Sequence, residues 1–375
     1  MELAILHLSD IHLTSAHDIV LTRASKIRDA LHGAVPGATA CVVLLSGDIA
    51  YSGKQLEYEI AYSFFEQLKA ELLKLPLLQT VHLVSVPGNH DCDFDGESDV
   101  REYLLQDVKA LYNSGIELDS DKARTLLSVQ NNFFQFEAKL GGYKELTVQT
   151  RIAWGRLLSF GNFQLKFQCF NTAWLSRRRE LQSKLFMPPK ALEPYPGEAS
   201  VSISIFHHPY NWLDANNYRQ LKNLVEKTSD FVFTGHEHQP DAMTIDKFSG
   251  EHLHYVEGAA LHGDGDDLDS AFNVVAFDFS TGEQRLELFQ WNGELYASKT
   301  RYDWGMLIKN PARERHLLRV NHSFLRALND TGTAFTHSRS RELTLDDIFV
   351  YPRMTCWSPE AALVRRREKG CSCYK

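Results

Sequence analysis

Five short clusters in this 375-residue sequence carry side chains able to hold metal ions: Asp10-x-His12, Gly47-Asp48, Gly88-Asn89-His90-Asp91, His207-His208-Pro209 and Gly235-His236-x-His238. As candidate ligands they offer carboxylates, an amide and several imidazoles, with no thiolate. A mixed oxygen and nitrogen set suits Mn²⁺, Fe or Zn²⁺ better than Ca²⁺, which takes oxygens. Seven groups are too many for one tetrahedral zinc, and they fit two cations sharing one carboxylate. Such a pair answers the needs of phosphodiester hydrolysis. Two cations about 3.5–4 Å apart neutralise phosphate charge, ionise a water near neutral pH and stabilise the departing oxygen.

Each cluster alone is weak. A lone Asp-x-His is usually a surface coincidence, Gly-Asn-His-Asp can be a turn, and Gly-His-Glu-His can be an exposed loop. Their joint occurrence, each directly after an apolar strand, is what carries the reading. The sequence has 16 histidines. His7, His32, His82, His252, His254 and those after residue 315 lack this placement and read as core or surface residues.

The positioning elements are apolar runs at 3–8, 41–46, 80–86, 201–206 and 230–234, each ending in one of the clusters. On a strand end, residues two apart share a face, so Asp10 and His12, and His236 and His238, are expected to point the same way. Glycines 47, 88 and 235 are expected to make tight turns after the strands. Between the strands, Leu56, Ile60, Phe64, Leu68, Leu72 and Leu75 space an amphipathic helix over 54–75, and a shorter one covers 216–227. This alternation predicts an α/β layered domain with the site beyond the carboxyl ends of the strands. Residues 95–155 read as a helical insertion beside the site mouth, with helices at 99–112 and 121–140. A hairpin turns at Gly161-Asn162. Alternating runs at 252–257, 271–279 and 285–297 read as antiparallel strands with turns at Thr281-Gly282 and Asn292-Gly293. From about 301 the character changes: 310–341 is rich in Arg and His, 343–351 reads as a strand, and 365–369 reads as a basic helix end.

Hydrophobic residues make up 43% and charged residues 23%, an ordinary globular balance. A net charge of −8 argues against a surface coated for duplex nucleic acid. No apolar run of about 18 residues predicts a membrane span, and the opening MELAILHLSD reads as a strand rather than a signal peptide. Six cysteines, at 41, 92, 169, 356, 371 and 373, show no framework spacing. They read as free thiols of a reducing, cytoplasmic compartment. Cys371 and Cys373 read as part of a frayed terminus rather than a metal site.

The five clusters, in this order, resemble the calcineurin-like metallophosphoesterase superfamily, whose pattern is D-x-H, G-D, G-N-H-D/E, H and G-H-x-H. The match covers roughly residues 1–300. The spelling LSDIHL, GNHD and HHP looks most like bacterial class III cyclic-nucleotide phosphodiesterases. The resemblance implies a four-layer double β-sandwich flanked by helices, with a 1–300 domain and a C-terminal extension over 301–375. It implies two divalent cations, Mn²⁺ foremost with Fe or Zn²⁺ as alternatives. Asp10, His12 and His238 would hold one, Asn89, His207 and His236 the other, and Asp48 would bridge them, with His207 the ligand of the HHP motif rather than His208. It further implies a catalytic His90 that protonates the leaving oxygen, with Asp91 orienting it by a hydrogen bond, and attack by a hydroxide activated between the two metals. His207 follows Asp91 by 116 residues, a longer interval than in simpler members, so the insertion is expected to choose the substrate.

The expected substrate is a phosphodiester, either a cyclic nucleotide or, in a nuclease effector of a bacterial defence system, nucleic acid. Arg177-Arg178-Arg179 is the best candidate for a basic track, against a solvated basic turn. A third alternative is a scaffold that has lost catalysis, like retromer-type members. The segment LTLDDIFVYP looks like the linker before a P-loop nucleotidase module in STAND-type defence proteins, though no G-x-x-x-x-G-K-[ST] follows. The extension is therefore a candidate linker or docking segment for a protein partner, and the phosphoesterase an effector or a detached fragment.

Overall fold

Apolar runs with no polar side require burial on both faces, and the strands obtain it from two packed sheets. A computed structural model describes residues 1–113, 120–141, 146–147, 149–246, 252–262 and 267–306. The chain forms two compact units, Met1–Glu314 and Arg315–Lys375. The second lies outside the described residues, and with it the expected strand at 343–351, the basic helix end at 365–369 and the last three cysteines.

The first sheet contains β1 (Glu2–Leu8), β2 (Ala38–Leu45) and β3 (Thr80–Ser85), with β10 (Ala271–Asp278), β11 (Glu283–Trp291) and β12 (Tyr296–Met306). Its order is β12-β11-β10-β1-β2-β3. The second contains β4 (Ala153–Phe160), β5 (Phe163–Phe170), β6 (Val201–Phe206), β7 (Phe231–Thr234), β8 (Ala242–Asp246) and β9 (His252–Glu257), in the order β4-β5-β6-β7-β9-β8. The motif-bearing strands β1, β2 and β3 pair in parallel, as do β6 and β7, so their carboxyl ends converge on one rim. β12 carries the first sheet past residue 300, the expected domain boundary.

The strand β7 shows the layering. Phe231 and Phe233 face the core between the sheets, while Val232 faces a second apolar cluster under α6 (Ala215–Thr228). Phe231 meets Phe277 of the opposite sheet edge-on at 5.2 Å. Alternate residues thus serve different cores, which is why the run is apolar throughout. On the outer face of the first sheet lie α1 (Ala24–Ala34) and α2 (Gln55–Leu72). Two sheets between helices make the four-layer α/β sandwich. In α2, Phe64, Leu68 and Leu72 are buried as the spacing predicts, but Leu56 is 64% exposed. It sits in the first turn, where Glu57 instead faces inward and accepts the Ser52 and Lys54 amides at 2.9 and 3.0 Å. That caps the helix.

The insertion holds α3 (Asp99–Asn113), α4 (Ser120–Leu127) and α5 (Asn131–Gly141), the last two parted by a short 3₁₀ turn at Ser128–Gln130. The expected single helix over 121–140 is therefore two. Phe133, Phe134 and Phe136 are buried in the main core rather than at the site mouth, with Phe136 packed 5.1 Å from Tyr58 of α2. Glu137 of α5 pairs with Arg156 of β4, both buried, and Arg156 Nη1 donates to the Leu83 carbonyl at 2.6 Å. A buried pair broken on one side leaves an uncompensated charge. Glu137→Ala is expected to lower unfolding free energy by about 3–5 kcal/mol; urea denaturation that matches the wild type would contradict this anchoring role.

Candidate metal centre

The site is assembled from the loops that follow β1, β2, β3, β6 and β7. Asp10, His12, Asp48, His236 and His238 all adopt left-handed backbone, with φ of 50°, 50°, 55°, 77° and 56°. Among the described residues the only other non-glycine with positive φ is Ser183. Such conformations cost of order 1–3 kcal/mol each and persist only where the surroundings enforce them. The expected strand alternation is therefore not what aligns Asp10 with His12 or His236 with His238. The strands have ended, and left-handed turns aim the side chains.

Backbone bonds between loops hold these turns. The Asp10 amide donates to the Gly47 carbonyl at 3.2 Å, and the Ile11 and His12 amides donate to the Asp48 carbonyl at 2.8 and 3.0 Å. The Gly235 amide donates to the His207 carbonyl at 3.0 Å, and the His236 amide to the Asp10 carboxylate at 3.2 Å. Of the three glycines, Gly47 alone has positive φ, at 106°. Gly88 and Gly235 serve close approach instead of a turn: a Cβ on Gly88 would strike the Asp48 carboxylate and amide, and one on Gly235 would strike Ser9 Oγ.

The seven expected ligand side chains are brought together in two groups. Asp10, His12 and His238 form one, with His12 Nε2 and Asp10 Oδ1 each 3.3 Å from His238 Nε2. In the other, His207 Nε2 lies 3.1 Å from Asn89 Oδ1 and 3.2 Å from His236 Nδ1, and Asn89 Oδ1 is 3.0 Å from His236 Nδ1. Asp48 stands between them: its Oδ2 is 3.2 Å from His207 Nε2 and 4.0 Å from His12 Nε2. Its Oδ1 accepts the His90 amide at 2.8 Å.

His207 and Asp10 are themselves fixed from behind. His207 Nδ1 donates to the Ser46 carbonyl at 2.8 Å, which aims Nε2 at the cluster, where a cation could take the place of its proton. Ser9 Oγ donates to Asp10 Oδ2 at 2.5 Å, and Ser46 Oγ to Ser9 Oγ at 2.8 Å.

Two carboxylates, an amide oxygen and four imidazoles thus converge on shared space, partly buried beyond the strand ends, and they fit divalent cations by number and by chemistry. Electrostatics show the same demand for positive charge. Burial would raise Asp48, yet the His207 and His12 imidazoles hold it far below the usual carboxylate range. Against burial, Asp48 and Asp10 push His207 up to about 10. His236 is driven strongly down by burial and by His208 and His207.

Three neighbours of the ligand set have partners that the motifs do not show, and one of them, Asp91, is placed otherwise than expected. Asp91 does not reach the His90 ring. Its buried carboxylate accepts the Gly88, Ile49 and Ala50 amides at 2.9, 3.1 and 2.9 Å and the Tyr58 hydroxyl at 2.8 Å. Asp91 clamps the loops after β2 and β3 together. Burial and the nearby Asp48 charge raise it to about 6. His90 is oriented instead by a backbone group, its Nδ1 donating to the Tyr51 carbonyl at 2.7 Å. No side-chain pattern could have shown that partner. His208 lies within ligand range of His207 and His236, but its Nε2 faces Glu180 Oε2 at 2.8 Å and its Nδ1 faces Thr172 Oγ1 at 3.0 Å. Both nitrogens are engaged, so it buttresses the cluster. Glu180 lies outside the five clusters, directly after the arginine run at 177–179, and its residue type alone gives no signal of this contact. Cys41, Cys92 and Cys169 are free and buried, and burial pushes the Cys41 and Cys169 thiols up to about 12.

The profile of the calcineurin-like phosphoesterase family matches residues 3–240, a span that contains every cluster. The chain belongs to the calcineurin-like phosphoesterase family. The donor set described above has the residue types with which such a phosphoesterase holds divalent metals. A curated relative, the uncharacterized metallophosphoesterase-like protein YydB of Bacillus subtilis (strain 168), is 22% identical over 308 residues, 78% of this chain. The chain spans 60% of that relative's length. Among solved structures, vacuolar protein sorting 29 of Cryptosporidium parvum aligns with 81% of this chain and 98% of its own at 12% identity and a TM-score of 0.35. Wild-type Vps29 of Entamoeba histolytica, solved in complex with Zn²⁺, aligns with 80% of this chain and 98% of its own at 12% identity and a TM-score of 0.32.

Asp48→Ala is expected to leave the protein folded and lower its content of bound divalent metal, read by elemental analysis of dialysed protein. Gly88→Ala is expected to do the same by displacing the Asp48 carboxylate. A metal content equal to that of the wild type in either variant would remove Asp48 from its central place.

Proposed function

We propose that this chain hydrolyses phosphodiester bonds of small molecules with the aid of two divalent cations, Mn²⁺ foremost. Asp10, His12 and His238 would hold one cation and Asn89, His207 and His236 the other, with Asp48 shared. When bound, such a pair neutralises phosphate charge, acidifies water and stabilises the departing oxygen. The observation that carries the reading is the place of Asp48 Oδ2, within reach of His207 Nε2 at 3.2 Å and His12 Nε2 at 4.0 Å.

The remaining chemistry falls to His90. Its backbone amide is tied to Asp48 Oδ1 and its Nδ1 proton to the Tyr51 carbonyl. The free position is Nε2, and the ring stands edge-on to His12 at 4.6 Å. In the imidazolium form, Nε2 carries a proton to the leaving oxygen as the ester bond breaks; the neutral ring then recovers one from solvent. Asp91 acts one step removed, by fixing the loops that carry Asp48 and His90.

Two observations favour a small diester over a nucleic-acid strand. Arg177 faces Glu102 at 3.2 Å and Arg178 faces Asp95 at 2.9 Å. Two of the three arginines of the suggested basic track are thus matched by carboxylates. A complete donor set also speaks against the scaffold alternative, since an abandoned metal site has no reason to keep left-handed backbone at five positions.

The test is turnover of bis-nitrophenyl phosphate, a cyclic-nucleotide panel and labelled single-stranded DNA by the Mn²⁺-loaded chain at low and high salt. Salt-insensitive hydrolysis of small diesters is expected; steeply salt-sensitive DNA cleavage would favour the nuclease. His90→Ala is expected to keep its metal and slow turnover by roughly 10²–10⁴-fold. Loss of metal in that variant would make His90 a ligand instead.

A further inference from the structure

Two aromatic side chains border the cluster, and they are held very differently. Trp212 meets His236 edge-on at 4.2 Å, and its Nε1 donates to Glu237 Oε1 at 2.6 Å. It is tied down and packed on a candidate ligand, a supporting role. Tyr51 lies on the opposite group of donors, 5.4 Å from the His90 ring and 6.2 Å from the His12 ring. Its side chain is 53% exposed. Among the described residues its hydroxyl has no hydrogen-bond partner, and its ring is outside both apolar clusters. Only its backbone is engaged, the amide with the Leu13 carbonyl and the carbonyl with His90 Nδ1.

A tyrosine placed for stability is buried, or has its hydroxyl satisfied. This one does neither, although the backbone around it is fixed from both sides. The ring is thus held firmly at one end and presents a free face beside the histidine that serves the departing oxygen. Aromatic faces presented in this way stack planar rings without regard to their hydrogen-bonding edges.

We infer that Tyr51 is a specificity-determining residue: its ring is a platform for a planar group on the leaving alcohol of the substrate, a nucleobase or an aryl ring. The inference rests on the phosphoesterase reading above and deepens it. It gives preference among phosphoesters to those that carry a ring near the phosphorus on the His90 side. Substitution of the side chain leaves the carbonyl that orients His90 in place, so the two roles of residue 51 can be separated.

The experiment compares two non-hydrolysable probes that differ only in the ring, phenylphosphonate and methylphosphonate. Binding of each to the Mn²⁺-loaded full chain is measured by calorimetry, with manganese content determined alongside. The wild type is expected to prefer the phenyl probe. Tyr51→Ala is expected to reduce that preference about tenfold, the range of base–aromatic stacking, with manganese content unchanged. Tyr51→Phe keeps the ring and is expected to keep the preference. A role in merely positioning His90 would not separate the two probes. An equal preference in wild type and Tyr51→Ala, or no preference in the wild type, would overturn the platform while leaving the phosphoesterase reading intact. If the wild type bound neither probe, the phosphoesterase reading would fall and the platform with it.

Discussion

One carboxylate lies between two groups of donors, and keeping it there is the constraint the rest of the site obeys. Asp48 is fully buried and within reach of imidazoles from both groups. A buried charge is tolerable only when matched. In this pocket the match is supplied by what the surrounding donors can share, namely protons on histidines or cations. Every neighbour of Asp48 contributes to that arrangement. Gly88 has no Cβ to displace it, the His90 amide fixes one oxygen, and its own left-handed backbone turns the carboxylate inward.

The strain in these loops is distributed rather than local. Five candidate ligands adopt positive φ, and each turn is bonded to another turn that also carries ligands. The loop after β1 is zipped to the loop after β2, and the Asp91 carboxylate ties the loop after β2 to the one after β3. Movement of one would disturb the rest. The parallel strands beneath supply the rigidity, since they are buried on both faces and register one strand end beside the next. The fold therefore does for the site what no single loop could. It imposes a costly backbone and recovers the cost through packing elsewhere.

Much of this was legible in the sequence because the strands are apolar throughout and end abruptly. The five motif strands, α2, α6, the hairpin at Gly161-Asn162 and the antiparallel strands after residue 270 all stand close to where the patterns place them, whereas the run at 252–257 joins the other sheet, parallel to β7 and antiparallel only to β8. Two elements left little trace. The buried face of α1 is carried largely by alanines, Ala24, Ala30 and Ala34 with Ile27 and Leu31, so its periodicity is faint. β8 is a short edge strand with an exposed Met243. In the site, residue types announced the donors, but their aim came from backbone conformation, which residue types conceal. The same holds for the partners that proved to be carbonyls, Ser46 for His207 and Tyr51 for His90. The resemblance implies that Asp91 orients His90, whereas its carboxylate accepts the amides of the loops after β2 and β3 and the Tyr58 hydroxyl, partners that residue types do not show.

The central claim is that the two donor groups flanking Asp48 hold two cations side by side. Anomalous diffraction from crystals of the full chain soaked in Mn²⁺ addresses it directly. Two peaks about 3.5–4 Å apart, one on each side of the Asp48 carboxylate, are expected. A single peak, or manganese bound elsewhere with these side chains left unliganded, would contradict the account.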